Sequence, residues 1–202
     1  MDPCAASDDR DGDTAELARA ARSGNTNRLV LLYERLLPAL YAWASVRIPR
    51  SEMTPDDFVQ EVWLRAIRNL HTDAATDHPF RAWVFGIAKN TLLEILRHRS
   101  SHRVKEERSG PSAIARVVPD STTSVAAKLA RDETMQRLLE FAHSLDRVDR
   151  DMFVHCALEG RSCTEVARQL GLTPEGAIKR WQRQRSRLRE LGWLQKLLLE
   201  VA

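Results

Sequence analysis

Apolar residues recurring three and four positions apart constrain this chain more than any other feature. Leu29, Leu32, Tyr33, Leu36, Leu37, Leu40, Tyr41 and Ala44 form one such run. Phe58, Val59, Val62, Trp63, Ala66, Ile67 and Leu70 form a second, and Phe80, Trp83, Val84, Ile87, Ala88, Leu92, Ile95 and Leu96 a third. A 3.6-residue period places each set on one face of a helix, whereas a strand needs alternation. Gly and Pro number only 8 each in 202 residues, too few turn residues for a many-stranded sandwich. The fold class expected is all-α.

Boundary signals divide these helices into two modules. Thr14 to Ser23 reads as a short helix with Leu17, Ala20 and Ala21 on one side, and Asn27 can cap the next. Pro38 lies inside that second helix, where an interior proline costs about 3 kcal/mol, so a kink or break is expected. Thr54-Pro55-Asp56-Asp57 starts a third helix with a cap, a proline at the first position and two acids at the positive end of the dipole. His71 to His78 is a polar loop and Pro79 opens the fourth helix, which runs into Arg97-His98-Arg99. Periodicity then fails, and Ser, Arg, Gly110, Pro111 and Pro119 mark a flexible linker over 104–123.

A second module is expected over 124–190. Its first helix holds Val125, Leu129, Leu138, Leu139 and Phe141, and its second runs from about Asp149 to Glu159 and stops at Gly160. Ser162 and Glu165 form a capping box for the third helix, Gly171 suits its left-handed end, and Thr173-Pro174-Glu175 starts the fourth. The apolar tail 191–202, with Leu191, Leu194, Leu197, Leu198 and Val201 at helical spacing, is expected to continue that last helix and to pack on a neighbour. The acidic start, 1–13, is expected to be disordered.

Charge is segregated rather than large. Asp2 to Asp13 holds five Asp and one Arg, while Gly176 to Arg189 holds six Lys or Arg and no acid. Arg81 to Arg108 holds seven Lys or Arg against three Glu. Two separate basic blocks fit nucleic acid touched at two places, although each block alone also fits a solvated helix face.

Ser162 to Arg189 has the layout of a helix-turn-helix: a short helix, a Gly-containing turn and a capped basic helix. Val166, Ala167, Leu170, Leu172, Ala177 and Trp181 would form its core and leave Gly176, Ile178, Lys179, Arg180, Gln182 and Arg183 outward. The first turns of such a helix can read base edges in the major groove, and Arg185, Arg187 and Arg189 are placed for phosphates. On the fourth helix Lys89, Asn90, Arg97 and Arg99 remain outside the apolar stripe, with Trp83 and Phe85 near them. Those aromatics are either core or platforms for unpaired bases.

Catalysis finds little support. The chain has no Walker loop, dinucleotide glycine motif or nucleophile elbow. His98 and His102 stand four apart, but a zinc site needs more ligands than this pair, so no metal or cofactor is expected. His155, Cys156 and Cys163 read as buried or satisfied side chains, and the odd cysteine count implies no disulfide framework. With no apolar leader and no run read as a membrane span, a cytoplasmic protein without membrane insertion is expected.

Three strings carry a family resemblance in the first module. They are Leu32-Tyr33-Glu34-Arg35, Asp57-Phe58-Val59-Gln60-Glu61-Val62-Trp63-Leu64-Arg65-Ala66, and Phe80-Arg81-Ala82-Trp83-Val84-Phe85-Gly86-Ile87-Ala88-Lys89-Asn90. From 14 to 103 the chain resembles region two of the extracytoplasmic-function (ECF) group of bacterial sigma factors. From 124 to 190 it resembles region four, through Glu165-Val166-Ala167-Arg168-Gln169-Leu170-Gly171-Leu172-Thr173-Pro174-Glu175 and the Arg-rich helix after it. The resemblance implies that Asp57, Gln60 and Glu61 contact core RNA polymerase. It implies that Lys89 and Asn90, with the neighbouring Arg97 and Arg99, meet an upstream promoter element and help open it. It implies that region four, here Gly176, Lys179, Arg180, Arg183, Arg185 and Arg187, reads a more distant duplex element. Core polymerase, promoter DNA and an anti-sigma protein are the partners implied. Ile178 departs from the family's usual basic residue, and Trp181 from its usual Leu. The other reading is a helix-turn-helix regulator that binds DNA without polymerase.

Overall fold

The computed structural model describes residues 8–49, 53–72, 79–105 and 132–192, and it contains helices and no strand among them. Four helices make the first module: α1 (Asp8–Arg22), α2 (Thr26–Arg47), α3 (Pro55–Arg68) and α4 (Phe80–Lys105). The second holds α5 (Glu133–Ser144), α6 (Arg147–Met152) continued by a π-helical segment (Phe153–Leu158), α7 (Cys163–Leu170) and α8 (Pro174–Glu190).

Local chemistry sets most helix starts. Thr54 Oγ1 accepts from the Asp57 amide, Ser162 Oγ from that of Glu165 and Thr173 Oγ1 from that of Gly176. Asp132 and Asp146 cap α5 and α6 in the same way. Each such cap stabilises its helix by about 1 kcal/mol. The cap of α2 is Asn25 rather than Asn27, because the chain turns at Gly24 (φ 95°) and its side chain accepts from Arg28 N. The box expected at α7 is half made: Glu165 reaches Arg161 instead of returning to Ser162.

Other boundaries differ from expectation. α2 passes through Pro38 unbroken, since Leu36, Leu37, Ala39 and Leu40 on either side are all buried and offset the missing hydrogen bond. α1 begins at Asp8, so part of the acidic start is helical. α8 ends at Glu190, and Gly192 at φ 68° turns the chain out of the helix instead of continuing it. The rest of the tail, 193–202, lies outside the described residues, as do 106–131 with Val125 and Leu129, and 73–78 of the polar loop.

α2 is the axis of the first module, touching α1 and α3, while α4 closes the bundle against α1 and α3. Trp43 stacks on Phe58 at 5.7 Å and meets Phe85 edge-on at 6.3 Å, and a second aromatic chain runs Tyr33–Trp63–Phe80–Trp83. By length and composition α2 could cross a membrane, contrary to the sequence expectation, but its apolar residues from Leu32 to Ala44 are mostly buried in the core of this bundle, with Val30 and Leu31 exposed near its start. Ile67 and Leu96, expected in the core, are 40% and 39% exposed, since they sit at the edges of their stripes.

The two modules are docked. α2 packs on α5 and on the π-helical segment, and one continuous buried cluster joins both cores. Seven successive residues, Met152 to Leu158, are buried, including His155. A helix apolar on all sides must be enclosed on all sides, and this one lies between α2 and the helix-turn-helix.

Candidate nucleic-acid interface

On α3, Asp57, Gln60 and Glu61 sit at i, i+3 and i+4 and so share one face. Asp57 is exposed, and its Oδ2 accepts from Thr54 Oγ1 at 2.7 Å. Glu61 binds Arg65 Nε at 2.6 Å, and Arg65 Nη1 binds Glu94 of α4 at 2.6 Å. Burial works against the Arg65 charge, but hydrogen bonds and charge from Glu61 and Glu94 outweigh it and raise its pKa. The acidic face is thereby fixed in orientation while Asp57 stays open to a partner.

On α4 the aromatics resolve as core. Trp83 is 8% and Phe85 1% exposed, so neither offers a ring face to a base. Asn90 and Arg97 are exposed, and Arg97 has a bonded or charged partner. Arg99 lies on α4, with its side chain outside the described residues. Lys89 does not project freely: its Nζ lies 2.6 Å from Glu159 Oε2 of the second module.

Glu159 gathers three donors. Trp43 Nε1 donates to Oε1 at 3.0 Å, and Lys89 Nζ and His155 Nδ1 lie 2.6 and 2.9 Å from Oε2. Burial alone would raise its pKa. The bonds from His155, Lys89 and Trp43 outweigh burial and hold the carboxyl down at about 2. Beside it Arg81, 7% exposed, donates to the Leu158 carbonyl at 2.6 and 3.1 Å and to the Ala157 carbonyl at 2.9 Å. Gly160 (φ 75°) passes so close that a Cβ there would lie 3.1 Å from Arg81 Nε. At the rim Arg47 pairs with Asp151 at 3.2 Å. Sequence reading missed Trp43, Arg47, Arg81, Asp151 and Glu159. One signal was available: Arg81 interrupts an otherwise apolar stretch, and Glu159 ends one.

On the helix-turn-helix, Val166, Ala167, Ala177 and Trp181 are buried, with Leu170 and Leu172 partly so, as the spacing predicts. Gly171 takes the left-handed conformation at φ 67°. The solvent face of α8 carries Lys179, Gln182, Arg183, Ser186 and Arg187, and the first four line an open depression. Three positions expected outward do otherwise. Ile178 packs partly against the core. Arg180 turns to Asp149, with Nη1 at 2.7 Å from Oδ1. Gly176 lies under its own cap, where a Cβ would stand 2.9 Å from Thr173 Oγ1. Arg185 is half-buried and partnered.

His155 is bonded to Glu159, and Cys156 and Cys163 are buried with their sulfurs 4.0 Å apart, so all three are core side chains.

Comparison with known proteins gives the family. Residues 32–102 match the Sigma-70 region 2 family. The RNA polymerase sigma factor CnrH of Cupriavidus metallidurans is 32% identical over 181 residues, covering 87% of this chain and 92% of that protein. NccH of Alcaligenes xylosoxydans xylosoxydans, also an RNA polymerase sigma factor, is 30% identical with the same coverage. The ECF RNA polymerase sigma factor BldN of Streptomyces coelicolor is 29% identical over 85% of this chain and 64% of its own length. A solved structure of CnrH in complex with the cytosolic domain of CnrY aligns at a TM-score of 0.45 and 30% identity, covering 88% of this chain and 96% of that one. The chain belongs to the ECF group of RNA polymerase sigma factors.

Proposed function

We propose that this chain binds core RNA polymerase through α3 and directs it to promoters with two DNA-facing helices, α4 and α8. Asp57, Gln60 and Glu61 take the polymerase. Lys89, Asn90, Arg97 and Arg99 meet the upstream element and assist its opening. On α8, Lys179, Arg183 and Arg187 face the distal duplex element, with Gly176, Arg180 and Arg185 supporting the same helix. Such a factor works in the cytoplasm beside polymerase, needs no cofactor, and has an anti-sigma protein as a further partner.

The observation that carries this reading is the solvent face of α8. Its cap and inner side are fixed by the helix-turn-helix core, while Lys179, Gln182, Arg183 and Arg187 remain outward on one side. Base contacts from such a face contribute about 1–3 kcal/mol each, and phosphate contacts add a salt-dependent, sequence-independent part.

Reconstitution with core polymerase tests it. Wild-type chain should bind promoter DNA tightly only with core present. Replacing Asp57 and Glu61 together by Lys should abolish association with core while helicity stays nearly unchanged and melting falls only slightly, through loss of the partly solvated Glu61–Arg65 pair. Sequence-specific binding by the chain alone, or normal core binding by the double variant, overturns the proposal.

A further inference from the structure

Two glutamines of α8, two positions apart, are put to different uses. Gln184 is 3% exposed, and its Nε2 donates to the Asp149 carbonyl at 2.9 Å, so it holds α8 against α6. Gln182 is exposed and lines the open depression with Lys179, Arg183 and Ser186. Ser186 Oγ donates to the Gln182 main-chain carbonyl at 3.2 Å, so that hydroxyl is spent locally. Among the described residues the side chains of Lys179, Gln182 and Arg183 have no hydrogen-bond or charge partner, whereas Arg180, Arg185 and Arg189 are engaged within the chain.

Side chains at i, i+3 and i+4 share one face of a helix. Lys179 and Arg183 stand about 6 Å apart along the axis, at about 1.5 Å per residue, with Gln182 between them. Stacked base pairs lie about 3.4 Å apart. The three side chains therefore span about two to three successive base pairs, with Gln182 and Arg183 over neighbouring ones. Gln182 carries no charge to neutralise phosphate, and its amide chemistry distinguishes bases. The amide sets an acceptor oxygen beside a donor nitrogen. In the major groove adenine offers the reverse, an N6 donor beside an N7 acceptor, and the two match through a pair of hydrogen bonds. Guanine offers two acceptors, N7 and O6, so one bond is lost and the amide oxygen faces O6. Those same two acceptors suit Lys179 and Arg183, which only donate.

We infer that Gln182 specifies adenine at one base pair of the distal duplex element, beside a guanine read by Arg183. The inference rests on the proposed role of the α8 face at duplex DNA and adds to it the identity of one base. The side chain acts on sequence preference and not on stability, because nothing in the fold depends on it.

Promoter duplexes randomised upstream of the start site are selected by holoenzyme reconstituted from core polymerase and the full chain. Wild type should select an adenine next to a guanine. Gln182→Ala should bind the selected duplex about tenfold more weakly, equivalent to about 1.4 kcal/mol, and become indifferent at the adenine pair alone. Its salt dependence should match that of wild type, since no charge is lost. Gln182→Glu should turn the preference at that pair towards cytosine, whose N4 donates. Placing 7-deazaadenine at the selected adenine removes the N7 acceptor. It should weaken wild-type binding several-fold and leave Gln182→Ala binding unchanged.

A loss shared by every sequence in Gln182→Ala marks a backbone contact and overturns the inference. Unchanged binding, or relaxation at a pair that is not adenine, overturns it too. Lys179→Ala and Arg183→Ala report on the α8 face itself. If they relax preference while Gln182→Ala does not, the face reads DNA and only the adenine assignment falls. If wild type selects no sequence there, or none of the three variants alters the selected one, the α8 face does not read DNA and both proposals fall.

Discussion

The basic faces of α4 and α8 look alike in composition and differ in what they are attached to. On α8, Lys179 and Arg183 face an open depression. On α4, the lysine in the corresponding functional position is tied to a buried acid, and its neighbour Arg81 is 7% exposed and spent on backbone carbonyls. The lesson is about what an arginine or lysine count measures. It measures charge available in the unfolded chain, and folding divides that charge between partners inside and solvent outside. The α8 face keeps its charge in solvent, whereas part of the charge of α4 is spent on contacts with the second module.

The sharpest way to break this contrast is Arg81→Met. Its guanidinium supplies charge-assisted hydrogen bonds to two buried carbonyls, and a methionine of similar length leaves both without a donor. The loss should be about 4 kcal/mol of unfolding free energy, read by denaturant titration, with the Trp43 indole losing protection at once. Lys179→Met on α8, where nothing depends on the side chain, should stay within about 0.5 kcal/mol of wild type. Equal small losses at both sites would mean that Arg81 is no more structural than the exposed face.

Acid should separate the two faces next. The folded pKa of Glu159 is depressed from 4.5 to about 2. The stabilisation from its ionised form is therefore complete above about 4.5 and is lost as pH falls from there towards 2. It amounts to up to about 3 kcal/mol, from the size of the shift. Acid titration of the wild type should show the modules parting over that window, followed by scattering. Glu159→Gln should show no such step. A wild-type step of the same size in the variant would assign the transition to other carboxylates.

These contrasts also mark what could be read from the residues alone. The helix stripes, the caps at Thr54, Ser162 and Thr173, the left-handed Gly171 and the helix-turn-helix core are all written within a few positions of one another. Local spacing therefore reveals them. The acidic face of Asp57, Gln60 and Glu61 and the exposed Lys179 and Arg183 follow from the same periodicity. The docking of the modules does not. Trp43 and Glu159 are 116 positions apart, and Arg81 and Leu158 are 77 apart, with no periodic signal to join them. The same long-range contact explains why Phe85 is core: Trp43 covers it, and the Arg81 guanidinium stands 5.8 Å from its ring centre. Arg180 was misplaced for a shorter-range reason. Helical spacing alone puts it outward, but Asp149 stands on α6 within reach of its guanidinium.

That last difference yields the smallest and most specific expectation. Within α8, Lys179 and Arg180 are adjacent, both basic and both in the first turns that a recognition helix presents. Lys179 is exposed and Arg180 is half-buried. Arg180 gives its Nη1 to Asp149 at 2.7 Å and lies 3.8 Å from Asp146. Lys179→Ala should cost about 1–2 kcal/mol on the cognate distal element and relax preference at one base pair. Arg180→Ala should leave base preference unaltered and lower stability by less than about 1 kcal/mol, since its ion pair is partly solvated. The measurement is competition binding of reconstituted holoenzyme across promoter variants changed one base pair at a time. A relaxed position for Arg180→Ala and none for Lys179→Ala would mean that Arg180 leaves Asp149 when DNA binds. Part of the DNA-binding charge of α8 would then, like that of α4, be spent on contacts within the free chain, and the contrast between the two helices would collapse.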